Sequence, residues 1–193
     1  VKPGFGQQYS FIPFSVEDGL SQIQVFDICT DYQGNIWFGT AGGASRFDGK
    51  YFTNYSTENG LNDNLVSKII SKNGFIWIAT QHGITRIKEK QVQTYNLEEL
   101  TENNNITALV IGAQFLWIGI KDKGVLQIKL TDNVPDLKDP ILHVPSEHLN
   151  IRSLFIDSQN KLWMASKGYL GYYLNNKWTT LKIPNSTNNI SDI

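Results

Sequence analysis

The chain has 193 residues, of which 40% are hydrophobic and 18% are charged, a composition typical of a folded domain and not of a disordered segment. Its 17 basic and 18 acidic residues leave a formal net charge of -1, which argues against a basic surface for nucleic acid or anionic membranes. Cys29 is the single cysteine, so an internal disulfide and a cysteine-based zinc site are excluded.

The first predicted element is an exposed or edge strand at residues 9–15, where apolar and polar side chains alternate around Pro13. After a turn-rich connection, the pattern predicts four short strands at residues 25–30, 35–40, 44–47 and 51–55. Asp31 and Gly34 are typical of a tight turn between the first two, and Asp48-Gly49 is typical of the hairpin before the last. These residues therefore form a unit of four antiparallel strands.

The second strand of this unit recurs along the chain with a period of about 40 residues. Each copy has an aliphatic residue, a tryptophan, an apolar residue and a small residue in succession. Four of the five tryptophans hold this one position: Trp37, Trp77, Trp117 and Trp163. We therefore predict an array of equal units at residues 23–56, 64–96, 104–145 and 150–183, with a further unit beginning at residues 188–193.

Four strands in each unit of about 40 residues indicate an all-β fold, a β-propeller with four four-stranded antiparallel blades and flanking strands. Residues 131–140 are rich in Asp, Asn and Pro and are predicted as a loop inserted in the third unit. Residues 97–102 are predicted to form one helical turn at most.

The tryptophan strands are nearly continuous in apolar character, as strands buried on both faces are. We expect each tryptophan to fill the gap between two neighbouring blades, and the small residue two places on to let the next blade approach. The alternative is an aromatic platform for stacking on sugars. The fixed position of the tryptophan within its strand argues against that alternative.

The first unit resembles the two-component regulator propeller repeat. The matching residues are Val25, Ile28, Asp31, Gly34, Ile36-Trp37-Phe38-Gly39-Thr40 and Gly43-Ala44-Ser45-Arg46. The second unit keeps most of this pattern. The third lacks the Asp-x-x-Gly turn and the Arg, and the fourth has Asn160 in place of the turn glycine.

This resemblance implies a non-catalytic, extracytoplasmic sensor, the periplasmic part of a membrane-bound bacterial signalling protein, with carbohydrate breakdown products as frequent ligands. No apolar run approaches the length of a membrane span, and no cofactor or metal is expected. Because propellers of this family usually have about seven blades, we expect the chain to be a fragment, with residues 9–15 as the outer strand of the closing blade. Its open edges raise the hypothesis of a homodimer that completes a larger ring.

Propeller ligands bind at one rim or at the channel mouth, where the loops vary from blade to blade. The loops between second and third strands differ while the strands around them repeat. For a polar small-molecule ligand, such as an oligosaccharide, these loops predict the contacts Gln81, His82, Lys121, Lys123, Lys167 and Tyr169. Solvated loop residues with no ligand, and a rim that binds a protein partner instead, are the alternatives.

Catalytic chemistry has weaker support. Streptogramin lyases are propellers with a similar turn and tryptophan strand, and they use a rim site of His and Glu with a divalent metal. His82 lies in a rim loop, but the sequence shows no second His and Glu paired with it from adjacent blades, and His143 and His148 are interpreted as unrelated surface residues. Arg46 and Arg86 occupy equivalent strand positions and are predicted to pair with carbonyls or carboxylates of neighbouring blades.

Overall fold

The computed structural model describes residues 11–102, 105–145 and 150–182, and these residues are mainly β-strand. Their sixteen strands form four sheets, each with four antiparallel strands in sequence order. The predicted all-β fold of four four-stranded blades is therefore confirmed.

The strands follow one another without exchange between blades. The first blade contains β1 (Val25–Thr30), β2 (Ile36–Thr40), β3 (Gly43–Phe47) and β4 (Phe52–Tyr55). The second contains β5 (Val66–Lys72), β6 (Phe75–Thr80), β7 (Gly83–Lys88) and β8 (Gln91–Asn96). The third contains β9 (Ile106–Ile111), β10 (Phe115–Ile120), β11 (Gly124–Thr131) and β12 (Val134–His143). The fourth contains β13 (Ile151–Ile156), β14 (Leu162–Ser166), β15 (Tyr169–Leu174) and β16 (Lys177–Lys182).

Helical structure is limited to two short turns in the described ranges. A 3-10 turn at Thr57–Asn59 is capped at its start by Ser56 and at its end by Gly60, whose φ is 98°. The single helix α1 (Glu98–Thr101) has four residues, as the predicted helical turn required. No helix in the described part of the chain is long enough to cross a membrane.

The first strand of each blade lies on the inner side of the array. β1 contacts β5, β5 contacts β9, and β9 contacts β13, whereas the fourth strands of neighbouring blades have no comparable contacts. The blades are thus arranged around an inner surface formed by β1, β5, β9 and β13. The turns between second and third strands lie at one rim of that surface.

The repeated tryptophans fill the spaces between blades, as predicted. Trp37 packs with Val66 and Ile69 of the second blade, and Trp77 and Trp117 make the corresponding contacts with the third and fourth blades. These three side chains are at most 5% exposed. Trp163, which has no later blade beside it in the described residues, is only half-buried. Burial of each aromatic side chain stabilises the fold by about 2–3 kcal/mol.

Small residues after the tryptophans allow this close approach. A Cβ atom placed on Gly39 would lie 2.7 Å from Val66 Cγ1, and one on Gly119 would lie 2.8 Å from Ile151 Cγ2. Because interiors are packed to near crystal density, neither position has room for a methyl group without movement of the next blade.

The predicted loop at residues 131–140 is wrong. β11 and β12 instead continue as a long hairpin, and Asp132 and Asn133 form its two-residue turn with φ values of 52° and 60°. Both positive φ values are those of a type I′ turn, which Asp and Asn tolerate. Pro135 and Pro140 are accommodated because β12 is the outer strand of its sheet.

The chain before the first blade also differs from prediction. Residues 11–15, the described part of the predicted strand 9–15, are not in a strand, because no neighbouring strand in the described chain offers them backbone partners. Phe14 packs instead against Phe47 and Phe52, with ring centroids 4.9 and 5.7 Å away. The predicted start of a further unit at residues 188–193 lies outside the described residues.

The first blade has one unpaired face. Ile28 is 56% exposed, whereas the equivalent Ile69, Leu109 and Leu154 are buried against the preceding blade's tryptophan. No described blade precedes the first one, so this face has no tryptophan against it.

His143 is not the surface residue that the sequence indicated. It lies in β12 among three aromatic rings, with centroids 5.6 Å from Trp117, 4.9 Å from Tyr173 and 6.0 Å from Trp178. Its Nε2 donates to Gln127 Oε1 at 2.7 Å. Burial lowers the pKa of His143, so the imidazole is held in its neutral form. His148 lies outside the described residues.

The two arginines at equivalent strand positions have structural partners. Arg86 donates to the carbonyl oxygen of Asn133 in the third blade and to Gln93 Oε1, which confirms the predicted pairing with a neighbouring blade. Arg46 instead faces Asp31 of its own blade, with Nε 3.8 Å from Oδ2.

Candidate functional site

Every blade has a β-bulge at the same place in its inner strand. In each case one residue is left unpaired between the first and third positions of the strand, opposite the end of the tryptophan strand. The four residues at this position are Phe26, Ser67, Thr107 and Arg152. A bulge re-aims a side chain out of the regular alternation of a strand.

The four bulged residues line a single concave site of about 430 Å³. Their neighbours Leu65, Asn105 and Asn150, at the starts of the inner strands, line it as well, together with Gln81 from the β6–β7 turn. The site therefore lies at the inner rim, where the second-to-third-strand turns also lie. We call it the inner-rim cavity.

The chemistry of the inner-rim cavity differs from blade to blade. Phe26 is 44% exposed and presents an aromatic face, whereas Arg152 is half-buried and carries a positive charge. Gln81, Asn105 and Asn150 supply side-chain amides, each of which both donates and accepts hydrogen bonds. An aromatic face with convergent amides and one charge is suited to a small polar ligand with an apolar side.

The two hydroxyl residues of the cavity are anchored to the backbone. Ser67 Oγ donates to the carbonyl oxygen of Ala79 at 3.3 Å. Thr107 Oγ1 donates to the carbonyl oxygen of Ile151, in the next blade, at 2.5 Å. Because the hydroxyl hydrogens are used, these oxygens are available in the cavity only as hydrogen-bond acceptors.

The six residues predicted from the rim loops are not one cluster. Gln81 lines the inner-rim cavity. His82, its neighbour in sequence, turns to carboxylates: Nδ1 lies 2.9 Å from Asp63 Oδ2, and Nε2 lies 3.7 Å from Glu98 Oε1. This contact holds the connection between the first two blades to the β6–β7 turn and to α1.

The four remaining predicted residues are at the same rim but outside the cavity lining. Lys123 pairs with Glu102 at 2.7 Å, and its side chain is only 14% exposed. Lys121 and Lys167 are exposed in their turns. Tyr169 is the first residue of β15, not a loop residue, and is half-buried. Ligand contact by any of the six stays a prediction.

The bulged residues were missed by sequence reasoning, although a signal for them exists. Each follows the first apolar residue of the repeated inner strand, which is Val25, Val66, Ile106 or Ile151. The position holds an aromatic, two hydroxyls and a guanidinium within a frame that otherwise repeats. Such variation within a repeated strand distinguishes a variable surface from the packed core.

No cluster of three or more His, Cys, Asp or Glu side chains that could hold a metal ion occurs among the residues that the structure describes. In particular, the inner-rim cavity has no carboxylate or imidazole among its described lining residues. The polar groups available there are amides, hydroxyls and one guanidinium.

Comparison with known proteins identifies the repeat. Residues 19–42 match the family model described as two component regulator propeller, which confirms the resemblance seen in the sequence. The match spans β1, the Asp31 turn and β2. No curated protein matches the chain in sequence.

Solved structures share the propeller fold at low sequence identity. Virginiamycin B lyase from Staphylococcus aureus has a TM-score of 0.68 at 18% identity, over 84% of this chain and 57% of the lyase chain. A structure described as the extracellular domain of a hybrid two component system from B. thetaiotaomicron has a TM-score of 0.57 at 19% identity, over 87% of this chain and 31% of that domain. A gluconolactonase from Xanthomonas campestris has a TM-score of 0.61 at 13% identity, over 81% of this chain and 61% of the enzyme.

These neighbours include two enzymes and an extracellular domain of a two component system, so the likeness shows the β-propeller fold alone. The chain spans little more than half the length of the lyase and under a third of the extracellular domain.

Proposed function

We propose that this chain, whose residues 19–42 match the two component regulator propeller repeat, is a non-catalytic, extracytoplasmic sensor propeller. Its ligand is a small, carbohydrate-derived molecule. The family match and the fold shared with the extracellular domain of a hybrid two component system support the sensing role and a periplasmic location. The inner-rim cavity supplies the binding site.

The convergence of the four bulged residues carries this proposal. A bulge at one repeat position in each blade points four side chains, an aromatic ring, two hydroxyls and a guanidinium, into a single cavity of about 430 Å³. Bulges of this kind are enriched beside functional sites, since they aim a side chain at the cost of a regular hydrogen bond. A packing requirement would instead favour similar apolar residues at all four positions.

The lining suits a saccharide. An exposed aromatic face such as that of Phe26 packs on the apolar C–H face of a sugar ring. Side-chain amides match sugar hydroxyls, because both groups donate and accept hydrogen bonds. Gln81 lies in the β6–β7 turn of the second blade, and Asn105 and Asn150 directly precede the first strands of the third and fourth blades. The three amides would therefore contact such a ring from different parts of the array.

An enzyme is the less supported alternative. His82 lies beside Asp63 and Glu98 and does not line the inner-rim cavity, so the described lining offers no imidazole or carboxylate that could act as a general base. Magnesium-dependent cleavage of a cyclic depsipeptide that is lost in His82→Ala would support a lyase and contradict the sensor proposal.

Ligand-dependent stabilisation tests the proposal. The chain is heated with a broad panel of neutral and acidic mono- and oligosaccharides, and a ligand at 100 times its Kd stabilises the folded state by about 2.7 kcal/mol. Phe26→Ala is expected to abolish the shift for the bound sugar. Phe155→Ala is the matched control, because Phe155 is 45% exposed on the fourth blade and does not line the cavity.

A panel in which no sugar stabilises the chain would contradict small-ligand sensing and make a protein-binding scaffold the leading function. Equal loss of the shift in Phe26→Ala and Phe155→Ala would contradict the assignment of the site to the inner-rim cavity.

A further inference from the structure

The inner-rim cavity contains one charge. Among the described residues that line it, Arg152 is the only ionisable side chain, and no Asp or Glu accompanies it. The cavity therefore presents a net positive charge at one wall and neutral amides and hydroxyls elsewhere.

Arg152 has unused hydrogen-bonding capacity. Its Nε is buried and has no hydrogen-bond partner among the described residues. No ion pair joins its guanidinium to a carboxylate in the described ranges, whereas Lys123, Lys68 and Arg46 each have one. The buried Nε is itself closed to a ligand, so an acceptor supplied by a ligand would bind the terminal guanidinium nitrogens, where Arg152 lines the cavity.

The bulge explains why this arginine faces the cavity. Ile151 pairs with Ser166 and Ser153 pairs with Ala165, which leaves Arg152 between them outside the ladder. The equivalent bulged residues of the other blades, Ser67 and Thr107 among them, are uncharged and line the same cavity. The charge is thus a property of the fourth blade alone within the described array.

We infer that the ligand of the inner-rim cavity is a sugar acid, a polyhydroxylated ring that carries one carboxylate, and that Arg152 binds this carboxylate. The inference rests on the proposed function and specifies its ligand class. A guanidinium forms paired, charge-assisted hydrogen bonds with a planar carboxylate. One guanidinium balances one monoanion, whereas a phosphate dianion would leave a charge without a partner in this cavity.

Isothermal titration of the chain with galacturonate and galactose, and with glucuronate and glucose, tests the inference. We expect at least one acid to bind about tenfold or more tightly than its neutral parent. Arg152→Gln is expected to reduce binding of the acid to the level of the neutral sugar and to change binding of the neutral sugar by less than about twofold. Arg152→Lys keeps the charge but loses the paired geometry and is expected to be intermediate.

Lys138→Gln is the matched control, since it removes an exposed positive charge from the outer strand of the third blade, away from the cavity lining, and should leave both affinities unchanged. Titration with acetate shows whether the cavity requires the sugar ring or binds any small carboxylate. Thermal unfolding of each variant without ligand establishes that it is folded before titration.

The outcomes are distinguishable. Equal binding of acid and neutral sugar, or an unchanged affinity for the acid in Arg152→Gln, overturns the inference and leaves the proposed function standing. Binding of acetate as tight as that of the uronates also overturns it. A chain that binds none of these compounds but binds a neutral oligosaccharide from the wider panel overturns the ligand class, whereas binding of no sugar at all contradicts the proposed function as well.

Discussion

The indole nitrogen of Trp37 lies 3.0 Å from Oδ2 of Asp31 and donates a hydrogen bond to it. The same bond recurs in the fourth blade, where Trp163 Nε1 lies 2.8 Å from Asp157 Oδ2. In these two blades the aspartate of the first turn thus anchors the repeated tryptophan of the second strand. In the second blade the turn is shorter and has Asn73 instead, and Trp77 Nε1 is buried without a partner among the described residues.

This difference predicts unequal effects of the same substitution. Trp37→Phe removes a hydrogen bond and leaves Asp31 without its indole donor, whereas Trp77→Phe removes an unsatisfied buried donor. We expect Trp37→Phe to destabilise the fold by about 1 kcal/mol more than Trp77→Phe. Urea unfolding measures the difference, provided that the dependence of the unfolding free energy on urea concentration is the same in both variants. An equal or larger loss for Trp77→Phe would contradict the anchoring role of Asp31.

The aspartate anchors also predict a loss of stability in acid. Burial raises the pKa of Asp31, but hydrogen bonds from Trp37, Asn35 and Gln33 together outweigh it and lower the pKa below its ordinary value. The hydrogen bond from Trp163 is the main cause of the lowered pKa of Asp157. A carboxylate with a lowered folded pKa contributes stability above its unfolded pKa, and that contribution is lost as the pH falls through the folded value.

We therefore expect Asp157→Asn to be less stable than the unmodified chain at pH 7, with the difference shrinking below about pH 4. Thermal unfolding from pH 7 to pH 3 measures this. Asp122→Asn, which removes an equal charge from an exposed turn, serves as the control for net charge. A stability difference for Asp157→Asn that stays constant over this range would contradict the prediction.

The contact between Gly39 and Val66 predicts that blade spacing is sensitive to one methyl group. Gly39→Ala would place a Cβ 2.7 Å from Val66 Cγ1, so we expect a destabilisation of about 1–3 kcal/mol. Combining it with Val66→Ala makes room for the new methyl group. The double variant should then be destabilised by less than the sum of the two single destabilisations, and a double-mutant cycle measures this difference. Additive effects would show that the second blade moves away without strain.

The burial of His143 predicts a second loss of stability, at a higher pH than the loss expected from the aspartates. Burial lowers its pKa in the folded state, so the unfolded chain binds a proton first as the pH falls. Stability is then fully present above the unfolded pKa near 6.5 and declines as the pH falls below it. Denaturant titrations at pH 7.5, 6.5 and 5.5 should show this decline, His143→Phe should lack it, and His82→Gln should retain it. A decline of the same size in His143→Phe would assign it to other groups.

Much of the blade architecture is local in origin and could be predicted. The Asp31 turn, the Asp48-Gly49 hairpin and the alternating strands depend on neighbouring residues, which the sequence displays directly. The prediction of a loop at residues 131–140 was wrong because it rested on amino-acid composition alone. Asp132 and Asn133 are compatible with a loop or with a tight hairpin turn, and pairing of β11 with β12 selects the hairpin.

The candidate site was less accessible to sequence reasoning. Gln81 was identified from its rim loop and lines the inner-rim cavity, but His82 and Lys123 are held by carboxylates that are distant in sequence or on another loop. Arg152 was not identified, because regular alternation does not reveal which strand residue is displaced by a bulge.

The repeated tryptophan strand by itself determined that this protein is an array of four-stranded blades, because a period of this length with turns between short apolar strands has few other folded solutions. Only the tertiary structure decided what the inner surface presents. Bulges arise from the pairing of first and second strands, and a cavity arises from the packing of separate blades. The convergence of Phe26, Ser67, Thr107 and Arg152 therefore exists only once all four blades are assembled.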